Sequence, residues 1–200
     1  MDRDMSEQST PRIGLVICGG AGSRYDGSTE KPLVHIHGEP MVDRVIDALL
    51  ASGLERTIAV TSPRAPETAI HVSDRVPTIP GTGRGYVADL QRAMATVGEP
   101  VLTVAGDLPL VTGTIIDDIR HRVGARRGDR SVVIGTPAAR KRFLGLSVDT
   151  VLPGTEPPVV PSGINVVRPA AECDALIVVT DRRVAVNVNT RRDRTIAERR

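Results

Sequence analysis

Aromatic residues are nearly absent. The 200-residue chain has no Trp, one Phe and two Tyr. Its core must therefore be built from Val, Ile, Leu and Ala. Single-stranded nucleic-acid binding, which relies on aromatic stacking platforms, is disfavoured. Cysteine is scarce as well: Cys18 and Cys173 cannot form a disulfide framework, and Cys18 ends an apolar run, as a small core residue does. Charge is close to balanced at +2, too little for a polyanion partner but compatible with a local basic pocket for a small anion. There is no signal peptide and no apolar run of transmembrane length, so a soluble cytoplasmic protein is expected. Lysine is the last scarcity. Only Lys31 and Lys141 occur in a chain otherwise served by arginine, so the lysine just after the glycine loop, Lys31, hints that a compact ammonium is wanted there, with chance as the competing reading.

The most informative stretch is the run Ile13 to Cys18, which breaks into a loop containing Gly19, Gly20 and Gly22, followed by Ser23, Arg24 and Lys31. A buried strand emptying into a glycine loop presents backbone N–H groups at the carboxyl edge of a sheet, where they can cradle phosphate. The loop lacks both GxxxxGK[ST] and GxGxxG, because no Gly-Lys pair occurs and Tyr25 stands where the third glycine would fall. An ordinary strand–loop corner is the competing reading, and the two cations that follow weigh against it.

Strand and helix patterns alternate along the rest. The spacing predicts a helix after Pro40 with Met41, Val42, Val45, Ile46, Leu49 and Leu50 inward, and strands at 57–61 and 76–79. The loop Pro80 to Gly85 then opens a helix over 86–96 with Val87, Leu90, Ala93, Met94 and Val97 inward. This loop either offers an anion or base-edge site or is a flexible turn exposing Arg84. The strand 101–105 ends in Gly106-Asp107, on the edge where such sheets place their chemistry; Asp107 either caps the turn or ligates a metal. A helix near 114–123 carries Thr114 and Asp117 in capping-box spacing, and 131–136 is a further strand. The proline-rich 137–161 segment reads as an irregular excursion, 161–168 as a strand, and 177–180 and 184–188 as short strands before a final helix with Thr190 and Asp193 as a capping pair. His35 and His37 form an exposed pair without a third metal ligand nearby. The expectation is one α/β domain over 12–200 with a mostly parallel sheet, preceded by a disordered leader over 1–11, and with a core burying roughly 70% of the unfolded surface.

The residues Cys18-Gly19-Gly20-x-Gly22-x-Arg24, then Lys31-Pro32-Leu33, then Gly106-Asp107, resemble the nucleotidyltransferase family of sugar-nucleotide pyrophosphorylases and the molybdenum-cofactor (MobA-like) guanylyltransferases. The family usually has Ala-Gly-Gly where this chain has Cys18-Gly19-Gly20, and often Met-Gly where it has Tyr25-Asp26. Thr82 to Leu90, Val160 to Val167 and Asn187-Val-Asn-Thr190 are similar to a narrower branch, the archaeal GTP:adenosylcobinamide-phosphate guanylyltransferases. The resemblance implies a Rossmann-like three-layer sandwich of the nucleotide-diphospho-sugar transferase type. It also implies transfer of GMP from GTP to a corrinoid phosphate, in cobalamin biosynthesis, with Mg²⁺.

On that resemblance, the N–H groups of Gly19, Gly20, Gly22 and Ser23 hold the β- and γ-phosphates, and Arg24 and Lys31 neutralise the leaving pyrophosphate. Asp107 holds Mg²⁺, with Asn189 or its neighbour Asn187 as a second metal-side ligand. Guanine lies against Thr61, Ser62 and the Gly81 to Gly85 loop, and Gly163 and Asn165 face the acceptor. Three other readings compete: a nucleotidyltransferase acting on molybdopterin, a sugar phosphate or a lipid phosphate; a GTP-binding module without catalysis; and a nucleic-acid binder, which the scatter of arginines among acids disfavours.

Overall fold

The computed structural model describes residues 10–19, 29–98, 100–126, 130–169 and 174–200. In chain order, the elements begin with β1 (Ile13–Ile17), a 3₁₀ turn (Lys31–Leu33) and a small antiparallel hairpin of β2 (His35–Ile36) and β3 (Glu39–Pro40). There follow α1 (Met41–Leu50), β4 (Arg56–Thr61), α2 (Pro66–Ser73), β5 (Thr78–Pro80), α3 (Tyr86–Val97) and β6 (Val101–Ala105). The second half contains α4 (Gly113–Gly124), β7 (Ser131–Pro137), α5 (Ala138–Leu144), β8 (Val159–Val167), β9 (Asp174–Val178), α6 (Arg182–Ala185) and α7 (Arg191–Ala197).

Seven strands form one sheet in the order β5-β4-β1-β6-β8-β7-β9. All run parallel except β8, which is antiparallel to β6 on one side and to β7 on the other. The alternation of side chains along β1 sorts the two faces. Ile13, Leu15 and Ile17 pack with Ala93 and the half-buried Leu90, Met94 and Val97 of α3. Val16 and Cys18 pack on the other face with α1 and with Ile115, Ile116, Ile119 and Val123 of α4. Helices thus cover both faces of a mostly parallel sheet, the expected Rossmann-like three-layer sandwich. Among the described residues, no helix is long and apolar enough to cross a membrane. Pro11 is buried, and its carbonyl accepts from Arg120 Nε at 3.1 Å.

Several local expectations are corrected. The irregular segment after Pro137 contains α5, and the 184–188 strand is instead the short helix α6 followed by extended chain. A short apolar run has no period long enough to separate the two states. Residues 66–73, which carry only a weaker pattern in sequence, form α2, with Pro66 in its first turn. Leu50 and Val87 point to solvent, at the flanks of their helices' apolar stripes. Thr114 and Asp117 do not cap α4, whose N-cap is Thr112. Asp117 Oδ1 instead accepts from the Gly53 N–H (2.9 Å), tying α4 to the end of α1. The Thr190–Asp193 capping box is present.

Candidate functional site

The carboxyl ends of β1 and β6 open onto a cleft of about 310 Å³. Cys18, Gly19, Lys31, Arg64, Gly83, Gly85, Tyr86 and Asp107 are among the residues lining it. Cys18 forms its floor without being exposed, and burial pushes its thiol up to about 12. It packs and does not react.

Lys31 begins the 3₁₀ turn, and its neighbour Glu30 anchors that turn. The Glu30 carboxylate accepts from the N–H groups of Glu67 (3.0 Å) and Thr68 (2.7 Å) in the first turn of α2, a stabilising place for a negative charge. From this base Lys31 Nζ donates to Asp107 Oδ2 at 2.6 Å and to Asn189 Oδ1 at 2.8 Å. Asp107 follows the end of β6, and its carbonyl accepts from Val188 N–H (2.9 Å), which places the Asn187-Val-Asn189 segment beside it. Asn189 Nδ2 donates to Asp149 Oδ2 at 3.3 Å. The fully buried Asp193 fixes the turn from behind, accepting from the N–H groups of Ser147, Asn189 and Thr190 and from the hydroxyls of Ser147 and Thr190.

Asp107 Oδ2 and Asn189 Oδ1 already converge on one cation, the Lys31 ammonium. Two oxygens with a common focus suit a hard divalent ion that keeps several waters, so the residues fit Mg²⁺. Among the described residues, no group of three or more His, Cys, Asp or Glu is placed to hold a metal. His37 is engaged elsewhere, its Nε2 lying 2.9 Å from the Glu198 carbonyl.

The second wall is built around Asp89, a residue that the hydrophobic pattern of α3 hides because an Asp in a surface helix reads as solvated. Asp89 is buried. Its Oδ1 accepts from Thr82 N–H, Thr82 Oγ1 (2.8 Å) and Gly83 N–H (3.1 Å), shaping the 81–85 loop from within. Its Oδ2 is buried with no hydrogen-bond partner among the described residues. Gly81 must be glycine here, because a Cβ would lie 2.3 Å from the Thr61 carbonyl oxygen and 2.8 Å from Asp89 Cγ. Thr61 and Ser62 are buried behind the cleft: the Thr61 carbonyl accepts from Gly81 N–H, and Ser62 Oγ accepts from Arg64 N–H. The exposed Arg64, unmarked in sequence by any motif, supplies the surface there.

On the third side, Gly163 sits in β8 with φ +90°, and a Cβ there would come within 3.2 Å of Ala105 Cβ. Asn165 Nδ2 donates to Tyr86 Oη at 3.1 Å, and Tyr86 Oη lies 3.4 Å from Thr103 Oγ1. The start of α3 is thereby linked to the middle of β8.

Lys141 also belongs to this region. It is 2% exposed on α5, and its Nζ donates to Asn187 Oδ1. Burial lowers its pKa, against the opposing pull of Asp193, Asp149 and Asp107. Both lysines of the chain thus meet the Asn-Val-Asn segment, one at each asparagine; the scarcity of lysine was the available signal. Of the residues expected from sequence, Gly19, Lys31, Asp107 and Asn189 surround or adjoin one cleft, with Gly81, Gly85, Gly163 and Asn165 on its flanking walls. Gly20, Gly22, Ser23 and Arg24 lie outside the described residues.

A curated relative, the adenosylcobinamide-phosphate guanylyltransferase of Methanocaldococcus jannaschii, is 29% identical over 196 residues, covering 92% of this chain and 94% of that protein. The bifunctional protein GlmU of Caulobacter vibrioides is 29% identical over 125 residues, but this chain spans only 27% of its length. Among solved structures, a CMP:2-keto-3-deoxy-manno-octonic acid synthetase complexed with CTP superposes with TM-score 0.60 at 14% identity, covering 90% of this chain and 94% of that one. A hypothetical transferase from Thermus thermophilus superposes with TM-score 0.58 at 24% identity, covering 79% and 65%. At those identities, the likeness is one of fold. The pattern of the MobA-like NTP transferase domain runs over residues 14–156, from β1 through the Asp89 loop and the Asp107 edge into the segment after α5. By that match this chain belongs to the MobA-like NTP transferase family, and it is a nucleotidyltransferase.

Proposed function

We propose that the protein transfers GMP from GTP to adenosylcobinamide phosphate, releasing pyrophosphate and forming adenosylcobinamide-GDP in cobalamin biosynthesis. The similarity to the M. jannaschii guanylyltransferase along nearly the whole of both chains carries this reading. The convergence of Lys31, Asp107 and Asn189 on one point supports its chemistry.

An acceptor that is already an ionised phosphate needs no protein nucleophile and no strong general base. An acceptor phosphate oxygen attacks the α-phosphorus, the bond from that phosphorus to the α–β bridging oxygen breaks, and its electrons leave with pyrophosphate. The protein's task is to hold two anions in line and neutralise the charge that develops. In this reading, the N–H groups of Gly19, Gly20, Gly22 and Ser23 cradle the β- and γ-phosphates, and Arg24 and Lys31 balance the departing pyrophosphate. Asp107 and Asn189 hold Mg²⁺, which supplies charge neutralisation at the α-phosphate when bound. Guanine lies along the Gly81 to Gly85 loop, whose shape Asp89 maintains, with Thr61 and Ser62 supporting it from behind. Gly163 allows close backbone approach on the acceptor side, beside Asn165.

The test is pyrophosphate release from GTP with and without adenosylcobinamide phosphate, run beside ATP and CTP and beside molybdopterin, sugar-phosphate and lipid-phosphate acceptors. Release that needs GTP and the corrinoid together is expected. Turnover with a different acceptor reassigns the substrate, and tight GTP binding without release from any acceptor would favour a binding module.

A further inference from the structure

The two asparagines of Asn187-Val-Asn189 are held differently. Asn189 Oδ1 meets Lys31, a partly exposed lysine at the cleft. Asn187 Oδ1 meets Lys141, which is buried. An ammonium is a donor only, so it can bond an amide solely through the carbonyl oxygen. That fixes which way the Asn187 amide faces. Its oxygen is consumed by Lys141, and its NH₂, with no acceptor among the described residues, is the arm left over on a half-buried residue one position before the N–H that bonds the Asp107 carbonyl. Arginine would not serve in place of Lys141, because a buried five-donor fork facing one carbonyl leaves more donors unpaired than an ammonium does.

We propose that Lys141 is a positioning residue that locks the Asn187 amide with its NH₂ presented to a substrate phosphate oxygen, so that Asn187 serves as an anion donor and Asn189 alone is left for the metal side. This rests on the nucleotidyl-transfer reading above. The phosphate can belong to the nucleotide or to the acceptor, and the two sources separate in the kinetics.

Asn187→Asp is the decisive variant. A carboxylate still accepts from Lys141, now with a full charge, so folding is retained, but it offers no donor and repels phosphate. The expected result is an unchanged or raised melting temperature with kcat/KM lowered at least tenfold. A rise confined to the KM for GTP identifies the nucleotide phosphate, and one confined to the acceptor KM identifies the acceptor. Lys141→Met should lower activity as well, and its effect should vanish in the Asn187→Ala background if Lys141 acts through Asn187. Binding of inorganic phosphate and pyrophosphate, with MgCl₂ present, reads the donor without turnover and should weaken about tenfold in Asn187→Asp. Wild-type activity and anion affinity in Asn187→Asp, additive losses in the double variant, or a parent protein that binds neither anion would each overturn the assignment. A parent that binds the anions but turns over no nucleotide would overturn the transfer reading instead.

Discussion

Lys31 Nζ lies 2.6 Å from Asp107 Oδ2 across 76 residues of sequence, and the same ammonium reaches Asn189 across 158. One cation thus ties together the turn after the glycine corner, the end of β6 and the turn before α7. Asp107→Asn should keep the fold, since the amide oxygen still accepts from Lys31, and should lower kcat by roughly 10²-fold or more through loss of charge at the reacting phosphate. Its response to added Mg²⁺ should flatten. Steady-state kinetics over a Mg²⁺ titration measure both, and near-normal turnover would remove Asp107 from the chemistry.

Asp89 governs the opposite wall. Asp89→Ala strands the N–H groups of Thr82 and Gly83, so a destabilisation of about 1–3 kcal/mol is expected. The nucleotide KM should rise about tenfold with a smaller change in kcat if, as proposed, the loop holds the base away from the breaking bond. Thermal unfolding together with GTP and ATP saturation curves separates the two effects. An unaltered KM would make Asp89 a purely structural residue.

Asp193 is the anchor of the Asn-Val-Asn turn. Asp193→Ala removes the acceptor for three backbone N–H groups and two hydroxyls at a fully buried position, at a cost of about 3 kcal/mol or more. Asp193→Asn keeps part of this acceptor and should fall between the two. Denaturant midpoints measure the order, and a ranking with Asn below Ala contradicts the anchoring role.

Cys18 makes stability fall with alkalinity. The folded state keeps the thiol protonated up to about 12, whereas the unfolded state releases the proton near the ordinary thiol value of 9.0. Above pH 9 the unfolded state therefore binds fewer protons, and stability falls by up to about 1.4 kcal/mol per pH unit from this group. Cys18→Ala should lose less stability than the parent between pH 9 and 10.5. In a Cys173→Ser background, Cys18 should resist thiol reagents at pH 8 until the protein unfolds. Rapid labelling of the native protein would be the contrary result.

The sheet and the edge that carries the cleft were legible because parallel strands buried on both faces read as unbroken apolar runs. Ile13–Ile17 and Val101–Ala105 stand out in that way, and whatever follows such a run lies at the edge. Lys31 and Asp107 were expected at that edge, and both line the cleft there. Asp89 and Lys141 were not, because each is a buried charge whose partners are backbone groups or an amide distant in sequence. Hydrophobic periodicity treats any charge as exposed, so it left Asp89 off the inward face of its helix and α5 unrecognised around Lys141. The same blindness to partners made Asp117 look like a local cap, when its acceptor role is toward Gly53.

The reversed strand β8 has a consequence for synthesis. β6 pairs with β1 on one side, but its other edge is covered by β8 alone, with Val104 opposite Ile164. At ~5–20 residues per second, the roughly 60 residues between those partners take about 3–12 s to be made. During that interval, the nascent sheet ends on an apolar, unpaired central strand, the kind of edge that recruits other chains. A chain stopped at Pro158, before β8, should therefore aggregate even though it contains the glycine corner, the Asp89 loop and Asp107 intact.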